Sequence, residues 1–363
     1  NFLLLGYGGE GHEGAYLTDT MMVAHLDIKT NKVVLISLPR DLWVKVPGKS
    51  SDFHAKINSI YQMGLFSDEY PAIDKKYSDK QGAAELTKLV VGEITGLPID
   101  NYMGIDFSGF KEIIDMVGGV DINVEKTFDD YEYPIEGKEN DLCGKEDQFK
   151  QIEPYLTPPD DPNATDEAKL KLFQEKPELE ELLKNITEDP AVAFPCRYEH
   201  LHFDKGPKHM DGTTALKYAR SRHSLQDGTD FGRARRQQRT IESVKEKVFS
   251  IAFLPKILPL MDEGKKFVRM DLDIDQIKKL LSEGKDASKY SVTSIVPSLE
   301  NDMLMNSVSD GGQFILVPSG GIDEYGEMKK LIRDTIDGIT PTPTPDPNAA
   351  TGSATKKRVT PTP

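Results

Sequence analysis

The sequence predicts an α/β protein with a layered core and one long irregular insertion, and three observations lead there. Segments of strand and helix periodicity alternate along the first 124 residues, an order that builds layers of sheet and helix. From about 126 to 199 the texture changes to Asp, Glu, Lys and Pro, including "TPPDDPNATDEAKLKLF", before the core pattern returns. The chain has 363 residues and 37% hydrophobic content. That is enough for one large domain or two small ones, since single cores stop growing near ~250–300 residues.

Taken in order, strands are expected near 2–5, 20–28, 32–38, 101–106 and 120–124. Amphipathic helices fit 54–64, 82–95 and 107–117; in the second, Leu86, Leu89, Val90 and Ile94 fall in register. Asp106 or Ser108 caps the third, and Gly118-Gly119 ends it. The insertion holds a helix or two near 166–184, laid over the core. A short helix at 212–219 follows, then a long one over about 231–250. Beyond Pro255 and Pro259 come a helix near 273–283, strands near 291–297 and 314–317, and a closing helix at 322–336. From Thr340 the chain is Pro/Thr-rich and has nothing to bury. Residues 1–338 are therefore read as one domain, its C-terminal part at about 254–338, and 339–363 as a disordered tail.

The net charge of −15 argues against general affinity for nucleic acid. The two cysteines, Cys143 and Cys196, have no metal-ligand spacing and are either inert thiols or one disulfide. Both fall in a polar, loop-like segment, which favours the disulfide and an oxidising, extracellular setting. No segment approaches the roughly 18 apolar residues that span a bilayer. The chain begins without Met, already inside a strand-like run, so a trimmed upstream signal or anchor is expected.

The opening "NFLLLGYGGEGH" spells G-x-G-x-x-G with Gly6, Gly8 and Gly11. That fingerprint binds a dinucleotide only where the third glycine opens a helix. Here no helical period fits before the next strand, so the match reads as a loop between strands.

Between Arg220 and Arg239, "RSRHSLQDGTDFGRARRQQR" carries six arginines and two aspartates, a basic knot in an acidic protein. In the long helix Ile241, Val244 and Val248 share a face, and stepping back by four places Gln237 and Arg233 on it. Arg235, Arg239, Glu242 and Glu246 fall opposite; Arg235, Arg236 and Arg239 read as solvated charges with local Arg–Asp pairs. An inward arginine must be paired or hold a ligand. If "YARSR" is extended, Arg220 and Arg222 point to one side. Asp230 and the helix start lie between the pairs, where free amides favour an anion. Guanidinium forks match phosphate oxygens two at a time, so this pocket suits a diphosphate.

Asp19 stands at the entrance of one strand and Arg40 just past the end of the next, where ligands collect in layered α/β folds. Asp19 is a candidate ligand for Mg2+, which takes one or two carboxylates plus substrate phosphates, or else a turn cap. Asp41 reads as a cap, and Lys56 and Asn58 as capping and surface groups or as part of the site. His200 and His202 are either a metal pair on a strand or surface histidines. No Ser-His-Asp or Cys-His order is present, and G-x-S-x-G does not occur.

"YLTDTMMVAHLDIKTNKVVLISLPRDLWV", "KINSIYQMG", "DFSGFKEIIDMVGGVDINV" and "HMDGTTALKYARSRHSLQDGTDFGRARRQQR" together resemble the LytR–CpsA–Psr family of bacterial cell-wall enzymes, over residues 1 to about 250. The resemblance implies a three-layer α/β/α sandwich around a central mixed sheet, at the outer face of the membrane and held by an N-terminal anchor absent from this sequence. It further implies a phosphotransferase that moves a glycopolymer, of teichoic acid or capsular type, from a polyprenyl diphosphate carrier onto peptidoglycan. Mg2+ would help hold the diphosphate, with the lipid in an apolar tunnel. By motif, Asp19 matches the metal-binding aspartate, Arg40 the arginine of the "PRD" turn, and Arg220 with Arg222 the paired arginines. Asp230, Arg233 and Gln237 match the D-x-x-R-x-x-x-Q run, with Asp230 a candidate to activate the attacking hydroxyl or to pair with Arg220 or Arg222. Leu17 stands where many members carry an arginine, and Glu10 or Glu13 is the candidate for a second carboxylate. The rival readings are a polyprenyl-diphosphate pyrophosphatase using water and a non-catalytic wall- or glycan-binding protein that kept the fold.

Overall fold

Residues Phe2–Tyr7 (β1) alternate cleanly, sending Leu3, Leu5 and Tyr7 into a packed core and Phe2, Leu4 and Gly6 to the other side. Thr18–Asp27 (β2) and Lys32–Ser37 (β3) instead bury consecutive residues, Met21–Val23 and Val34–Ser37, so both of their faces are covered there. The computed structural model describes residues 1–12, 14–48, 52–156, 165–248, 268–283 and 289–339. After β3 come Trp43–Lys45 (β4), His54–Lys56 (β5), Ile60–Leu65 (α1), Asp79–Thr95 (α2), Asn101–Asp106 (β6), Phe107–Met116 (α3) and Val120–Val124 (β7). The insertion spans Phe128–Pro134 (β8), Glu146–Ile152 (α4), Asp166–Glu175 (α5), Pro177–Glu188 (α6) and Pro190–Ala193 (α7). Next are Tyr198–Phe203 (β9), Gly206–Met210 (β10), Gly212–Arg220 (α8), Asp230–Val248 (α9), Val268–Met270 (β11) and Ile274–Glu283 (α10). Ser291–Ile295 (β12), Leu304–Val308 (β13), Phe314–Pro318 (β14) and Gly326–Asp337 (α11) close the described chain.

The central sheet is mixed and six-stranded, in the order β11-β6-β1-β2-β3-β12. The β1–β6 and β3–β12 pairs are parallel and the others antiparallel. One face packs Leu3, Leu5, Met21, Val23, Val34 and Ile36 against α1, α2 and α11. The opposite face, with Leu4, Leu35 and Met103, looks toward α3, α8 and α9 across a gap described below. The result is helix, sheet and helix in three layers, as expected.

Two smaller cores lie beside this one. Val120, Ile122, Phe128, Leu201, Phe203 and Tyr218 join the β7–β10 and β8–β9 ribbons to α3 and α8. Within the insertion, Ile152, Leu179, Leu182, Ala193 and Phe194 form a separate cluster, beside which Cys143 and Cys196 make a disulfide. The insertion thus builds structure of its own rather than merely draping the core.

Several expectations need correction. The helix expected over 54–64 starts as β5, because 54–56 pair with β4 before the chain coils. Leu89 is 49% exposed, and Val91 takes its place in the core beside Leu86, Val90 and Ile94. The strands expected at 120–124 and 314–317 do form, paired with β10 and β13 outside the central sheet. The tail from 340 and the stretch 249–267, with Pro255 and Pro259, lie outside the described residues. Among the described residues no helix is long and apolar enough to cross a membrane.

Candidate functional site

The glycine run links β1 to β2, and among the described residues no helix opens at its third glycine. Gly9 has φ +90°, and a Cβ there would sit 2.9 Å from the Asp106 Cβ, so glycine lets the loop press onto the end of β6. Gly6 pairs with Thr20 and Tyr7 with Thr18, which leaves Asp19 as the extra residue of a β-bulge. Bulges re-aim side chains next to functional sites. Here the bulge presents the Asp19 carboxylate to Arg40, whose Nη1 donates to Oδ1 at 2.8 Å.

Arg40 follows β3 in a tight turn, and its Nε lies 3.4 Å from Asp41 and 3.5 Å from Asp230. Asp230 opens α9 and also faces Arg233 Nη2 at 3.3 Å. Asp19, Arg40, Asp230 and Arg233 therefore form one alternating chain of charge drawn from three separate segments. Burial alone would lower the Arg40 pKa, but Asp19, Asp230 and Asp41 outweigh it and the pKa is raised. At Arg233, only 6% exposed, burial wins: its pKa is lowered, against the pull of Asp230 and Asp19 and with the push of Arg40 and Arg222. A buried cation short of compensating charge is a preformed anion site.

Asp41 is no cap. It is buried and clasps both Arg40 and Lys56, whose Nζ donates at 2.6 Å. Asn58 is buried too; its carbonyl accepts from Thr18 and its amide donates to the Arg40 carbonyl at 3.3 Å. Asp230 pairs with Arg40 and Arg233 rather than with Arg220 or Arg222. The start of α9 offers less free amide than expected, since Thr229 Oγ1 accepts from Gly232 N at 3.0 Å.

"YARSR" is not a strand. Arg220 is the last residue of α8, and its guanidinium lies 4.0 Å from the Phe107 ring and donates to the Tyr133 hydroxyl at 3.2 Å. Arg222 donates from Nε to His223 at 3.0 Å. Among the described residues neither arginine has a carboxylate partner. Between them Ser221 is fully buried and donates to Asp130 at 2.6 Å, and the amides of Arg222 and His223 donate to the same oxygen at 3.2 Å.

Arg236, expected in solvent, is 4% exposed. It lies over the Phe128 ring and donates to the carbonyls of Ser221 and Asp227. The reason is that α9 is covered on two flanks. Gln238 and Thr240 are buried on one side, where Gln238 donates to Ser37 at 2.9 Å and to the Ile295 carbonyl at 3.2 Å. Arg235 and Arg236 do form the expected local pairs, both with Asp227, whereas Arg239 pairs with the distant Glu125.

Ile241 and Val244 are half-buried, and Val244 packs against the core of the β7–β10 and β8–β9 ribbons. They line a cavity of about 370 Å3 whose walls are mostly apolar, with Thr20, Asp106, Arg220, Gln237, Thr240 and Lys245 as its polar members. An adjoining apolar cavity of about 260 Å3 shares Leu4, Met103, Ile241 and Lys245 as walls. Thr20 is next to Asp19, and Gln237 is one turn from Arg233, so the polar end of the cavity abuts the charge chain. Empty apolar volume costs stability in proportion to its size, so space like this is kept for an occupant. Of the seven expected residues, Asp19, Arg40, Asp230 and Arg233 are joined by ion pairs and Arg220 and Gln237 line the cavity, while among the described residues no ion pair ties Arg220 or Arg222 to the charge chain.

Sequence reasoning missed Asp130, Asp41, Arg236, Phe107 and Tyr133. A signal existed for Asp130: in "FDDYEYP" it alternates with Phe128, a carboxylate at an inward strand position. Glu10 is exposed on the glycine loop, and Glu13 lies outside the described residues.

The LytR_cpsA_psr family profile matches residues 1–317. The polyisoprenyl-teichoic acid–peptidoglycan teichoic acid transferase TagV of Bacillus subtilis is 24% identical over 294 residues, and TagU of Oceanobacillus iheyensis 25% over 283. Those alignments cover 80% and 78% of this chain but only 54% and 62% of the two relatives. The crystal structure of B. subtilis TagV shares the fold, with TM-score 0.56 at 21% identity over 93% of this chain and 96% of that one. A structure of TagT bound to LIIa-WTA does so with TM-score 0.53 at 17% identity, over 93% and 90%. The chain belongs to the LytR_cpsA_psr family.

Proposed function

We propose that this chain is a phosphotransferase that moves a glycopolymer, of the teichoic acid or capsular type, from a polyprenyl diphosphate carrier onto peptidoglycan. The observation that supports it most is the junction of an apolar cavity with arginines that lack carboxylate partners among the described residues. An isoprenoid diphosphate has the same two-part chemistry. The names of the TagU and TagV relatives describe transfer of teichoic acid onto peptidoglycan, and TagT has been solved with LIIa-WTA. The disulfide supports an oxidising location outside the cytoplasm, consistent with action at the membrane's outer face.

In this reading Arg40, Arg220, Arg222 and Arg233 hold the diphosphate, and Gln237 orients it at the cavity mouth. A wall-sugar hydroxyl attacks the sugar-linked phosphorus; the new O–P bond forms as the phosphoanhydride P–O bond breaks. The lipid monophosphate leaves, and the hydroxyl proton passes to Asp230. Positioning and charge neutralisation carry most of the barrier lowering in phosphoryl transfer. Asp19 suits Mg2+, since it is partly exposed and, among the described residues, only its Oδ1 is engaged, by Arg40; Asp230 lies one arginine away. A bound Mg2+ would supply further neutralisation of the diphosphate.

The test is Mg2+-dependent formation of polyprenyl monophosphate from a polyprenyl-diphosphate-linked saccharide, with peptidoglycan as acceptor. Arg222→Ala should fall at least about 100-fold, the scale of losing one preorganised charge donor, while circular dichroism shows it folded. Full turnover in that variant removes Arg222 from the site. Hydrolysis without transfer identifies a pyrophosphatase, and absence of turnover in the unaltered protein identifies a binding protein.

A further inference from the structure

The β8–β9 ribbon carries a second group of chemistry-bearing side chains that this reaction does not use. Asp129 and His202 are direct cross-strand partners, and His200, two residues back on β9, lies on the same face. His200 Nε2 is 2.9 Å and His202 Nδ1 2.8 Å from one and the same oxygen, Asp129 Oδ1. The donor atoms of the three residues lie within 4.8 Å of one another.

We propose that Asp129, His200 and His202 form a binding site for a divalent transition metal of the zinc class. Two imidazoles and a carboxylate are three of the four ligands of a tetrahedral zinc site, which leaves one position for water. Nitrogen ligands favour Zn2+ over Mg2+, a hard ion that takes oxygen. The support around the ligands is already in place. His202 Nε2 is 3.2 Å from Asp204 Oδ1, a contact that would hold the ring proton on Nε2 once a metal displaces the proton from Nδ1. The Tyr131 ring stacks on His200 at 4.1 Å and 5°. The Asp129 backbone is held by Gln226 Oε1, which accepts from its amide at 2.9 Å, and by Leu225, which donates to its carbonyl at 3.0 Å. The other group of metal-competent side chains among the described residues, Asp141 with Cys143 and Cys196, has its sulfurs tied up in the disulfide.

The position gives the site a mechanical consequence. Asp129 lies on β8, which leads into the helices of the insertion, and the histidines on β9, which leads out of them, so a metal would clamp the base of that lobe. Asp129 also adjoins Asp130, which holds the turn bearing Arg222.

The test is calorimetric titration of the chelator-stripped full chain with ZnCl2 in excess Mg2+, which saturates oxygen-only sites. The expected result is one equivalent bound per chain and a raised Tm. Binding should weaken about tenfold in Asp204→Asn, vanish in the double variant His200→Ala/His202→Ala, and persist in His209→Ala, whose exposed imidazole pairs with Asp121 elsewhere. All the altered side chains are largely exposed, so folding is spared. No stoichiometric Zn2+ binding, or binding retained in the double variant, overturns the proposal.

Discussion

Asp130 is 1% exposed, and a carboxylate so placed costs several kcal/mol unless its oxygens are matched. One oxygen accepts from Ser221, Arg222 and His223, so the buried charge does its work by fixing the turn between the two arginines. Arg236 grips the same turn from the other side through the Ser221 carbonyl. Asp130→Ala should therefore destabilise the protein by about 3 kcal/mol, read as a lower denaturation midpoint, and should cut turnover beyond that loss. A variant of unchanged midpoint contradicts the role assigned to it. At this scale the sequence showed the members of the charge chain well and their supports badly. Asp19, Arg40 and Arg233 were legible because a charged residue beside an apolar strand or on an inward helix face demands a partner. Asp130 was not, because its partner Ser221 lies 91 residues along the chain, and Arg236 was not, because its burial comes from the Phe128 ring of another segment rather than from its own helix.

Among the elements, α9 carries the most. It places Asp230 and Arg233 in the charge chain, Gln237 at the cavity mouth, and Ile241 and Val244 along the apolar wall. Helical phase predicted that sequence of roles correctly down one face. It failed on the neighbouring stripe, because a helix covered on two flanks buries polar residues that a one-sided model sends to water. Ile241 borders both cavities, so Ile241→Trp should fill them. The expected result is weaker binding of isoprenoid diphosphates, by roughly tenfold for 1–3 kcal/mol of overpacking, with binding of inorganic pyrophosphate retained. Equal loss of both ligands would show that the helix had moved and would break the link between cavity and lipid. The short strands β4, β8, β9 and β10 went unread for a simpler reason. Each gains its stability from a partner strand rather than from its own periodicity, and the ribbons sit beside the main core.

For the whole molecule, the layered α/β architecture was readable because segments of strand and helix periodicity follow one another along the chain, with β1 alternating between two faces. The independence of the insertion was not, since its core of five buried side chains is drawn from a segment with the composition of a loop. Its disulfide closes a 53-residue separation, worth about 4 kcal/mol of chain entropy. Cys143→Ser/Cys196→Ser should accordingly make the insertion the first region cut in limited proteolysis while the main core stays protected. Simultaneous loss of the core would show one cooperative unit instead. The central claim concerns the junction of charge and apolar space, and a crystal structure with a short polyprenyl diphosphate bound tests it most directly. The account predicts phosphate oxygens within hydrogen-bond distance of Arg220, Arg222 and Arg233, with the isoprenoid between the sheet and α9. A ligand bound elsewhere, or a diphosphate at the arginines with its tail in solvent and the cavity closed, would contradict it.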